Sequence, residues 1–74
     1  MYKVVIEDIL DKKTYEVEVE ARDKFDAKKV AFDKVYRDKV EVSQLLFVYR
    51  LTNSTMLRSY FNSYGIKIKS CRKV

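Results

Sequence analysis

The sequence predicts a small α+β domain of order β-β-α-β-α-β, with a mainly antiparallel four-stranded sheet and helices packed on one face. Three observations predict it. Residues 14–21 alternate strictly, with Tyr15, Val17, Val19 and Ala21 on one side and Thr14, Glu16, Glu18 and Glu20 on the other, the period of a half-buried strand. Apolar residues recur at helical spacing in two stretches, Ala27-Val30-Ala31-Val35 and Leu57-Tyr60-Phe61-Tyr64. There is no proline and one glycine, Gly65, so regular elements joined by short turns are expected in place of long loops.

Taken in order, residues 2–10 are rich in Val and Ile and read as the first strand. Asp11-Lys12-Lys13 makes the turn of a hairpin into residues 14–21. Lys3 and Glu7 fall on the glutamate side, which is solvated. A helix then opens on Asp23 as N-cap, with Asp26 three residues on. Its apolar side is Ala27, Val30, Ala31 and Val35, widened by Phe32 and Tyr36; Lys29, Asp33 and Arg37 mark the expected wet side, and the helix ends near Asp38 or Lys39. Leu45 to Leu51 shows no helical stripe and reads as a central strand. Thr52-Asn53-Ser54-Thr55 is a capping cluster ahead of the second helix, whose C′ position suits Gly65. Ser, Asn and Thr are poor interior helix formers, so an irregular loop over 52–65 is the alternative. Ile66 and Ile68, alternating with Lys67 and Lys69, give the final strand.

Seventy-four residues form one domain, 1–74, that buries only about 60% of its unfolded surface. The 47% apolar content and ten aromatics argue against disorder. The single cysteine, Cys71, forbids an intrachain disulfide and suits a reducing compartment. No apolar run approaches ~18 residues, and the first residues lack a signal peptide's apolar core. A cytoplasmic protein with no membrane association is the expectation.

The charge is strongly polarised. It runs −3 over residues 1–21, +2 over 22–42 and +6 over 43–74, for a net +5; no acid follows Glu41. Such a field attracts anionic partners.

Catalytic readings fare badly. Without histidine, Ser-His, Cys-His and His-metal arrangements are impossible within the chain, and one glycine cannot build a phosphate loop. Glu7, Asp8 and Asp11 lack a calcium loop's turn glycine and read as a solvated hairpin end. Cys71, beside Arg72 and Lys73, reads as an unpaired surface thiol. No enzyme, cofactor or metal is expected.

The expected function is therefore non-enzymatic binding of nucleic acid by the C-terminal basic region. Its candidate residues are Arg50, Arg58, Lys67, Lys69, Arg72 and Lys73, with Tyr49 as the ring best placed to stack on a base. Arg50 is expected to join the lysines from a neighbouring strand. The alternative is docking of this positive end on an acidic protein surface, as a small inhibitor or host-takeover factor of a virus or mobile element would do. A homodimer through an exposed strand edge is a further arrangement.

Over residues 14–50 the chain resembles a strand-helix-strand piece of archaeal large-subunit ribosomal proteins. The resemblance rests on Val17-Glu18-Val19-Glu20-Ala21, Ala27-Lys28-Lys29-Val30 and Val35-Tyr36. Many small proteins, phage proteins among them, share this pattern, and no residue role or function is carried over from it.

Overall fold

A computed structural model describes residues 1–74 as six elements: β1 (Tyr2–Asp8), β2 (Lys13–Val19), α1 (Lys24–Tyr36), α2 (Val42–Arg50), α3 (Ser54–Ser63) and β3 (Ile66–Lys73). The sheet has three strands in the order β2-β1-β3, antiparallel throughout. The fold class is α+β as the sequence predicts, but the fourth strand is absent: residues 42–50 form a helix.

The hairpin follows from the alternation. Tyr2, Val4 and Ile6 of β1 stand opposite Val19, Val17 and Tyr15 of β2, so one face is apolar. On the other face Lys3 pairs with Glu16 at 2.6 Å, and Glu7 stands between Thr14 and Lys67. This face carries no helix, and its residues are half-buried or exposed. An antiparallel sheet tolerates that arrangement because, apart from the half-buried Val5, its outward side chains are polar. In the connecting loop Asp8 accepts from the Asp11 N–H at 3.0 Å, and Lys12 takes a left-handed φ of 55°.

Helix α1 starts as predicted, with the Asp23 carboxylate accepting from the Asp26 N–H at 2.8 Å. Asn53 does the same for α3, accepting from the Met56 N–H at 2.8 Å. These caps satisfy amide groups that have no partner inside the helix. Gly65 follows α3 at φ 70°, the left-handed region that favours glycine. A Cβ there would stand 2.7 Å from Cγ of the exposed Leu10 side chain, which can swing aside, so the positive φ is what favours glycine.

The core is one cluster. Phe32 is its hub, stacked on Tyr36 at 5.1 Å and packed on Phe61 at 5.2 Å between ring centroids. Val4, Ile6, Ala27, Ala31, Leu57 and Ile66 surround it, and α2 adds Leu45, Val48 and Leu51.

The helical state of 42–50 changes the role of α1's polar side. Lys29 and Asp33, expected in water, are buried under α2. The Lys29 ammonium donates to the Leu51 carbonyl at 2.5 Å and the Tyr49 carbonyl at 3.3 Å, satisfying acceptors at the end of α2. Asp33 accepts from Tyr49 Oη at 2.7 Å and pairs with Arg37 at 2.9 Å. Arg37 alone of the three is exposed.

Candidate interaction surfaces

The seven candidate residues are spread over three elements. Tyr49 and Arg50 lie on α2, Arg58 on α3, and Lys67, Lys69, Arg72 and Lys73 on β3. Arg50 was expected on a strand beside the lysines; it sits on a helix instead, because the segment that carries it never joins the sheet. Tyr49 is likewise no strand-face platform. Its hydroxyl is tied to Asp33, and burial with that bond pushes its pKa up to about 12.

On β3 the expected alternation holds at its start. Ile66 is buried and Ile68 half-buried, while Lys67 and Lys69 are exposed. A bulge then intervenes: Val5 stands opposite Ser70 and Ile6 opposite Ile68, so Lys69 is the extra residue. Arg72 comes to lie opposite Lys3 on the open face, and Lys73 opposite Tyr2 at the strand end. Glutamates share the open face. Lys3 and Arg72 both help hold Glu16 below its ordinary pKa, Lys3 foremost through its hydrogen bond.

The hairpin acids do not converge either. Asp8 is buried and accepts from Tyr36 Oη at 2.8 Å as well as from Asp11. Glu7 points to the opposite face, as neighbours on a strand must. The Asp11 N–H, chiefly, and the Tyr36 hydroxyl hold the Asp8 carboxyl below its usual value against the opposing effect of burial. Cys71 is half-buried and faces the helix layer, with Sγ 3.8 Å from the Lys24 carbonyl. Burial raises its pKa against the pull of Lys28 and Lys24. The thiol is thus unpaired, as the sequence suggested, and half-covered by the start of α1.

Two surfaces that residue patterns alone did not reveal stand out. The first is the outer side of α2. Val42, Leu46 and Phe47 are 69%, 49% and 50% exposed, and Met56 of α3 is 48% exposed. Phe47, Leu51, Met56 and Tyr60 line a shallow groove between the two helices, with Phe47 and Tyr60 rings 5.4 Å apart. Arg50 follows Leu46 and Phe47 by four and three residues, which puts it on their side of the helix. The second is a groove between α1, α3 and β3, lined by Phe25, Lys28, Leu57, Arg58, Ile66 and Ile68 among others.

No helix is long and apolar enough to cross a membrane. The chain matches no family model, no curated protein and no solved structure.

Proposed function

We propose that this chain is a non-enzymatic protein-binding module that docks through α2 and the adjoining part of α3. The observation that carries the reading is the apolar outer side of α2. A helix that is apolar all round belongs inside a protein or against a partner, and contiguous exposed apolar surface marks interaction sites. Here the inward side is already served by Leu45 and Val48, and the outward side is left with Leu46 and Phe47.

Charge selects the occupant. Neither α2 nor α3 contains an acid, and Arg50 flanks the apolar residues. A second copy docking the same patch on itself would bring arginine toward arginine in a low-dielectric contact. The fitting occupant is another protein that offers an apolar ridge bordered by carboxylates. Phe47 then fills the role of the aromatic anchor, and Arg50 that of the charge-pairing residue.

The test compares the parent chain with Phe47→Asp and Arg50→Glu. Proteins captured by the parent from the cells that make it are purified and titrated against all three by calorimetry. One purified protein should bind the parent in a defined stoichiometry. Loss of a central aromatic anchor should weaken it by about thirtyfold or more, while melting temperatures stay near the parent's. Full binding by Phe47→Asp, or no partner that survives purification, would sink the reading.

A nucleic-acid reading retains one observation in its favour: Lys67, Lys69, Arg72 and Lys73 follow one another along an edge strand. Glu7 and Glu16 on the same face dilute that field. If nucleic acid is the partner, it should co-purify, leave in high salt, and be lost from a Lys67→Glu/Lys69→Glu variant. Its affinity should fall with salt at a log–log slope of ~0.7–0.9 per phosphate contacted.

A further inference from the structure

The outer edge of β3 is open. β3 pairs only with β1, and no backbone group of another element reaches its far side. At the opposite edge of the sheet the situation differs: Lys34 of α1 reaches the Glu18 carbonyl of β2 at 3.3 Å. A row of unpaired N–H and C=O groups is a template for one more strand.

Beside this edge, on the helix side, lies the groove floored by Phe25, Leu57, Ile66 and Ile68. Its free space is about 100 Å³, below the ~150 Å³ of a cavity that accepts benzene, so it suits an aliphatic side chain. Lys28 and Arg58 line it and no carboxylate does. On the other face of the same strand, Lys67, Lys69 and Arg72 are exposed. A strand laid along β3 therefore meets cations on both of its faces.

We propose that the β3 edge and this groove bind an extended acidic segment of another protein by strand addition. The segment pairs its backbone with Ile66–Ile68, where the ladder is regular before the bulge at Lys69. One aliphatic side chain enters the groove, and flanking carboxylates meet Lys28 and Arg58 on one face and Lys67 on the other. In such recognition the main chain supplies affinity and the alternate side chains supply specificity.

The charges also decide against a second copy of this chain. Its β3 would bring lysine against lysine. Its β2 would bring Glu16 and Glu18 to the open face, but Lys34 and Lys39 lean over that edge on the helix side, bonded to Glu18 O and Tyr15 Oη. They would meet Lys28 and Arg58. Edge lysines and a bulge are the devices that prevent self-pairing; here they leave an acidic strand acceptable. Nucleic acid would use the cations but neither the free backbone edge nor the aliphatic groove. The site is separate from the α2 surface, so either proposal can fail alone.

The probe is a fluorescein-labelled octapeptide of alternating Glu and Val, titrated into the full chain by anisotropy. It should bind saturably. A Lys-for-Glu version should bind at least ~30-fold more weakly, since like charges then face each other. Methylating the amide nitrogens of alternate residues should abolish binding, because the ladder needs those donors. Arg58→Glu and Lys67→Glu, each checked for folding by circular dichroism, should weaken binding at least ~10-fold, while Phe47→Asp leaves it unchanged. Undiminished binding of the N-methylated peptide would overturn the proposal, reducing the site to charge attraction. So would saturable binding of a thymidine octanucleotide with no binding of the peptide, which would make β3 a phosphate-binding edge.

Discussion

Replacing Lys29 by Met probes the contact that most separates the folded arrangement from the four-stranded expectation. Lys29 lies on the side of α1 that sequence periodicity assigns to water, yet its ammonium is buried against the end of α2. It donates to Leu51 O at 2.5 Å and Tyr49 O at 3.3 Å, and lies 4.3 Å from the centre of the Phe25 ring. A hydrogen bond from a charged donor contributes ~1.5–3 kcal/mol, and the cation–ring contact ~0.5–1 kcal/mol. Methionine keeps most of the stem, so packing survives. It also removes the cost of burying a charge, which offsets part of the loss. A net destabilisation of about 2 kcal/mol remains, in a domain whose total stability is of order 4–11 kcal/mol. At ~4–8 °C per kcal/mol for a chain of this size, the melting temperature should fall by ~8–16 °C. Thermal melts by far-UV circular dichroism measure this directly. Near-UV spectra should also change, because Tyr49 loses its fixed setting beside Asp33. Lys24→Met is the control: Lys24 is exposed, and surface changes stay within ~0.5 kcal/mol. If Lys29→Met melts within a degree or two of the parent, α2 does not end on Lys29 as described.

Other outcomes follow from the same geometry. Phe61→Ala should cost ~3–5 kcal/mol, since Phe61 is buried against Phe32 and Tyr60; a parent-like urea midpoint would show that α3 is not packed on the core. Asp8 and Asp33 both titrate below their ordinary 3.8 when folded. Their stabilisation is therefore complete above the unfolded value and is lost as pH falls through the folded one. Stability should hold from neutral pH to about pH 5 and decline below it, with Asp8→Asn and Asp33→Asn each flattening that decline; an Asp8→Asn/Asp33→Asn double variant as acid-sensitive as the parent would refute the assignment. Cys71, half-buried and with its pKa raised, should be alkylated by iodoacetamide at pH 8 at least ~3-fold more slowly in the folded chain than in urea. Equal rates would place the thiol in open solvent.

By itself the sequence determined the elements whose signals are local. Strict alternation over 14–21 makes a hairpin with one polar face whatever the rest of the chain does. Asp23 and Asn53 cap helices because their side chains reach an amide only three residues away, and Gly65 ends α3 because it accepts a positive φ. The charge gradient too is plain from composition. The fate of 42–51 was decided by tertiary structure. Leu45, Val48 and Leu51 do recur at helical spacing, but Leu46, Phe47 and Tyr49 between them are apolar as well. The stripe is thereby erased, and no side chain caps the start at Glu41. A short run apolar on every side suits a buried strand as well as a helix. What settles it is long-range: Lys29 meeting the last carbonyls, Asp33 holding Tyr49, and Val48 reaching the core around Phe32. The placement of Arg50 depended on that outcome, since the strand that would carry it beside β3 is the helix α2. Leu46 and Phe47, which hide the helix in the sequence, form the apolar surface of α2, because an apolar outer face lacks the polar half of the pattern by which a solvated helix is recognised.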